Sequence, residues 1–82
     1  MGGLIHKFGL ELGLTSPEDQ HSYYKNTIEA NILRNEGIFY AEFSREHPEI
    51  VVIEYDPSIT TPDAIYETVK RQNGDIKRKV FL

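Results

Sequence analysis

Ile38-Phe39-Tyr40-Ala41-Glu42-Phe43-Ser44, the polar run Arg45-Glu46-His47-Pro48-Glu49, and Ile50-Val51-Val52-Ile53-Glu54-Tyr55 decide the fold. On both sides of the polar run, apolar residues recur at every second position. Phe39, Ala41 and Phe43 share one expected face, and Val51, Ile53 and Tyr55 another. Period two with β-branched and aromatic residues predicts strands, and a short polar turn between them predicts a hairpin.

The flanks extend this pattern in both directions. Leu4 to Leu12 alternates, with Phe8, Leu10 and Leu12 inward and Lys7, Gly9 and Glu11 outward, which predicts another half-buried strand. Between it and the hairpin, Ser16-Pro17-Glu18-Asp19 is a helix-start signal: Ser16 can cap, and Pro17 suits the first helical position. Tyr24, Ile28 and Ile32 recur every fourth residue, with Leu33 widening the stripe, and Gly37 supplies a stop. The spacing predicts a helix as long as 17–35, with Tyr24 at the edge of the core.

After the hairpin, Thr61 before Pro62 caps a second helix; Thr60 with Asp63 is the alternative cap. Ile65 and Val69 face inward, Lys70 and Arg71 suit the helix C-terminus, and Asn73-Gly74 ends it. A last strand follows, with Ile76, Val80 and Leu82 on one side and Lys77 and Lys79 on the other. The order strand, helix, strand, strand, helix, strand predicts an α+β, ferredoxin-like βαββαβ sandwich: one domain over 1–82, with a four-stranded antiparallel sheet and two helices on one face.

The composition excludes much. The 82 residues contain no Cys, which removes disulfides, thiolate metal sites, iron–sulfur clusters and Cys nucleophiles. A net charge of -4 argues against nucleic acid as a partner. There is no apolar run of membrane-span length and no signal-peptide core at the start, so direct membrane insertion is not expected and a soluble, cytoplasmic domain is. With 39% hydrophobic and 27% charged residues, a folded domain is expected.

The topology brings three connections to one end: 13–20, 45–49 and 73–75. That end carries Glu18, Asp19, His21, Glu46, His47, Glu49 and Asp75, and His6 belongs to the opposite end. Imidazole and carboxylate ligands suit Zn, Ni, Co or Cu(II). His21, His47 and Asp19, with Asp75 next, are therefore the candidate metal ligands. The plain alternative is a set of solvated loops with acids near a helix N-terminus.

From Gly37 to Leu82 the sequence resembles the heavy-metal-associated domains of copper chaperones and of metal-pumping P-type ATPases. The matching residues are Glu36-Gly37-Ile38, Ile53-Glu54-Tyr55-Asp56-Pro57, Thr61, Ile65 and Gly74; at the front, Gly13-Leu14-Thr15 looks like that family's Gly-Met-Thr. The resemblance implies the same fold. It also implies a Cys-x-x-Cys pair directly after the Gly-Met-Thr, where two thiolates clamp a soft ion. This chain has none. Aligned from the front, Ser16 and Asp19 stand at the two Cys positions; aligned backward from Gly37, His21 and Tyr24 do. Asp75 stands where the family often carries a Lys or an aromatic residue. The resemblance thus describes a variant with a degenerate metal motif, related to metal transport but without thiolate copper transfer.

Other uses of this topology fit less well. A phosphate cradle of the acylphosphatase kind needs a basic residue after the first strand, and none lies between Lys7 and Lys25. An RNA-recognition module needs stacking aromatics and a basic motif on the central strands; Ile50 to Tyr55 does not match that pattern, and the chain is acidic. No nucleophile–base arrangement is present. The expectation is a non-catalytic docking or regulatory module without a cofactor, with divalent metal binding as the alternative. Its partner would be a protein, either a metal transporter or another copy of itself. Tyr40, Val52, Lys77 and Lys79 are the expected interaction surface. The second and fourth strands are the expected sheet edges.

Overall fold

The computed structural model describes residues 4–13, 22–73 and 75–82. The elements are β1 (His6–Leu12), α1 (Ser22–Leu33), β2 (Ile38–Phe43), β3 (Ile50–Tyr55), α2 (Pro62–Asn73) and β4 (Ile76–Val80). All strand pairs are antiparallel, in the order β2-β3-β1-β4. The fold is the ferredoxin-like βαββαβ sandwich that the pattern predicts, and β2 and β4 are its edges.

The core lies between sheet and helices. Phe8 and Leu10 of β1 stand opposite Ile53 and Val51 of β3, and all four are fully buried. Ile28 and Ile32 of α1 and Ile65 and Val69 of α2 cover them. Tyr55 meets Phe8 edge to face, with ring centroids 5.6 Å apart. No polar side chain is buried among the described residues, so apolar packing alone supports the core.

Two β-bulges change which side chains face it. In β2, Ile38 pairs with Tyr55 but Tyr40 pairs with Glu54, so Phe39 is an extra residue. Ile38 and Ala41 are buried while Phe39 is 56% exposed. The expected inward stripe of Phe39, Ala41 and Phe43 is therefore corrected to Ile38 and Ala41, with Phe43 half-buried. In β4, Leu12 pairs with Ile76 but Glu11 pairs with Arg78, so Lys77 is the extra residue. Beyond that bulge every side chain changes face. Lys79 stands opposite buried Leu10, on the helix side, and Val80 stands opposite Gly9, on the open side. The expected grouping of Ile76 with Val80 and of Lys77 with Lys79 is corrected accordingly.

The helices follow their signals where they are described. Thr61 Oγ1 accepts the Ala64 N–H at 3.1 Å, which makes Thr61 the cap instead of Thr60. The expected start of α1 near Ser16-Pro17 and the Gly74 stop lie outside the described residues. In α1 the stripe narrows to Ile28 and Ile32: Leu33 is 45% exposed, contrary to expectation, and Tyr24 sits at the rim. The helix closes on Asn35, whose side-chain amide donates to the carbonyls of Asn31 and Ile32 at 3.2 and 3.0 Å.

Gly37 then turns the chain into β2 with φ +88, a backbone region costly for other residues. A Cβ there would lie 2.7 Å from Ile59 Cγ2. Gly37→Ala therefore meets strain and a clash together. It should cost about 1–3 kcal/mol, read as a lower urea midpoint at unchanged slope. An unchanged midpoint would show that the turn relaxes freely.

Candidate functional site

Backbone hydrogen bonds draw the connections of one end together. Leu12 N–H donates to Glu49 O at 2.8 Å, and Gly13 N–H donates to Asp75 O at 2.9 Å. The chain after β1, the β2–β3 turn and the start of β4 thus meet, as the topology predicts. His6, opposite Tyr55, lies at the other end.

The candidate ligands divide in two. Asp19 and His21 lie outside the described residues, as does Ser16. His47 and Asp75 are described, and both are exposed. The His47 backbone N–H donates to Ser44 Oγ at 3.1 Å, which shapes the turn. The Asp75 carboxylate lies over Gly13, where a Cβ would come within 2.6 Å of Oδ2. Among the described residues, no three His, Cys, Asp or Glu side chains gather closely enough to hold a metal ion.

A cation reaches this end, which the chain pattern does not show. Lys25 Nζ donates to Pro48 O at 2.8 Å and stands 5.0 Å from the Phe43 ring centroid. Glu29, one turn later, accepts the Phe43 N–H at 2.8 Å. Two α1 side chains therefore fasten the helix to β2 and its turn. Their i, i+4 spacing places them on one helix face, the signal by which they could have been found.

The open sheet face differs from its expected composition. Tyr40, Glu42, Val52 and Glu54 lie on it, in register across β2 and β3. Val80 joins them beside Gly9, where a Cβ would lie 2.8 Å from Ile50 Cγ2 and 3.6 Å from Val80 Cβ. Gly9 thus leaves room for an apolar strip of Ile50, Val52 and Val80. Lys79 is absent from this face: its Nζ binds Asp63 Oδ1 of α2 at 2.6 Å and stands 5.2 Å from the Tyr66 centroid. The Asp63 hydrogen bond raises the Lys79 pKa above its ordinary value. Lys77 is exposed on its bulge. Arg78 Nε pairs with Glu11 Oε1 at 2.7 Å.

Tyr40 O–H donates to Glu42 Oε1 at 3.0 Å. This hydrogen bond, then partial desolvation and the charges of Glu42, Glu54 and Glu29, raise the Tyr40 pKa above 10.0. The stabilisation from a raised folded-state pKa is fully present below the unfolded value. It fades as pH rises through the folded one. Glu42→Ala should move the Tyr40 titration, followed by NMR of ring-labelled tyrosine, back down toward the ordinary value. An unmoved titration would assign the shift to another cause.

No family model and no curated protein matches the sequence. Among solved structures, the chain is similar to the N-terminal domain of a potential copper-translocating P-type ATPase from Bacillus subtilis, determined in its Cu(I)-loaded state. The TM-score is 0.67 at 22% identity, covering 95% of this chain and 88% of that one. At this identity the likeness shows the shared fold.

Proposed function

We propose that the chain is a heavy-metal-associated-like module of metal trafficking that works by docking or regulation and carries no soft metal through thiolates. One observation carries the reading: a fold similar to that of a copper-ATPase N-terminal domain belongs to a chain with no Cys. Cu(I) transfer in such a site needs two thiolates beside a helix N-terminus. Here Ser16 and Asp19, or His21 and Tyr24, stand at those positions, and neither pair supplies a soft ligand. What the module retains is its surface, so its partner would be a protein such as a transporter. The reading is non-enzymatic, and a cytoplasmic position fits it.

Cu(I) competition against a chromogenic chelator tests this directly. The natural chain should take no Cu(I) from the chelator. Ser16→Cys combined with Asp19→Cys should take one equivalent, because the same fold would then present the missing ligands. Stoichiometric Cu(I) capture by the natural chain would overturn the reading.

A second reading rests on the meeting of Gly13, Glu49 and Asp75 at one end. In it, His21, His47, Asp19 and Asp75 bind a divalent ion such as Zn, Ni, Co or Cu(II). Calorimetric titration would then give a Kd below about 0.1 mM. It should be weakened by His21→Ala and by His47→Ala, and binding indifferent to both would sink this alternative. Lys25 beside Pro48 opposes it electrostatically.

A further inference from the structure

The two edges of the sheet are not equivalent. At β2, the Phe43 N–H is taken by Glu29, and Lys25 lies over the Phe43 ring, so α1 closes part of that edge. At β4, the strand order leaves one side without a neighbour. Among the described residues no side chain of another element is hydrogen-bonded to the β4 backbone. A strand edge presents unpaired N–H and C=O groups, and such a row is a template for another extended segment.

The charge on this edge selects what can add to it. β4 carries Lys77, Arg78 and Lys79 in succession. Glu11 and Asp63 offset Arg78 and Lys79, and Lys77 has no ion pair among the described residues. The Arg78 side chain remains 72% exposed despite its pair. A second copy adding through its own β4 would oppose these cations with cations, and like charges directly across strands are destabilising. The same cations attract a strand of opposite sign. Beyond them Phe81 and Leu82 are 70% and 65% exposed, giving apolar area at the end of the edge.

The geometry points to β4 as a docking edge for an extended, acidic segment of a partner protein, added antiparallel along 78–82. This deepens the docking reading and rests on it by naming the surface and the class of partner. The cations act as a filter that refuses self-pairing and admits acidic strands.

The probe is a synthetic ten-residue peptide alternating Glu and Val, with a Lys-Val peptide as control, titrated into the 15N-labelled full chain at low salt. The expected result is shifts and slowed amide exchange confined to β4 and its β1 neighbours, lost in about 1 M salt. Lys77→Glu, an exposed bulge position outside the core, should weaken binding about fivefold. Absence of binding at about 1 mM would overturn the proposal. So would shifts on β2 or the open face, equal binding of the Lys-Val peptide, or indifference to Lys77→Glu. Concentration-dependent dimerisation through β4, read by sedimentation, would overturn it in favour of a second copy. These outcomes leave the docking reading standing through another surface, whereas Cu(I) capture by the natural chain removes that reading without touching the β4 result.

Discussion

The pairing of β1 with β3 is the constraint from which the rest follows. Phe8 against Ile53 and Leu10 against Val51 form the fully buried middle of the sheet, and both helices rest on it. With no buried polar group among the described residues, register is set by apolar burial alone. A one-residue slip would move this whole set to solvent. In a small domain that loss would exceed the available stability. The outer strands can depart from strict alternation because the central pair does not.

They do depart, once each, and both departures matter for the surface. The β2 bulge exposes Phe39. The β4 bulge exposes Lys77 and sends Lys79 to α2 and Val80 to the open face. The open face consequently gains Val80 and exchanges Lys79 for Arg78, which pairs there with Glu11. The edge keeps its charge on Lys77 and Arg78. The β4 insertion therefore sets Val80 beside Ile50 and Val52 on a face that otherwise carries Glu42, Glu54 and Glu11, an arrangement that strict alternation would not produce.

The end where the three connections meet has a different logic. The domain of similar fold, from a potential copper-translocating P-type ATPase, was determined with Cu(I) bound; in this chain no thiol exists to accept such an ion. Asp75 packs over Gly13 and Lys25 binds Pro48 O, so the described part of that end is held by local contacts among its own side chains and carbonyls.

The element order, the fold class, the edge strands, the inward residues of β1, β3 and α2, and the meeting of three connections at one end were legible in the sequence. Each depends on short-range periodicity or on turn and cap chemistry, which are properties of neighbours along the chain. The chain also determined by itself that no thiolate site exists. The exposure of Phe39 and Leu33, the faces of Lys79 and Val80, and the reach of Lys25 to Pro48 and of Glu29 to Phe43 were decided only in three dimensions. A bulge is fixed by the strand opposite it, and a helix side chain finds its partner by how the helix lies on the sheet. Both are relations between segments far apart in sequence, and no local pattern encodes them.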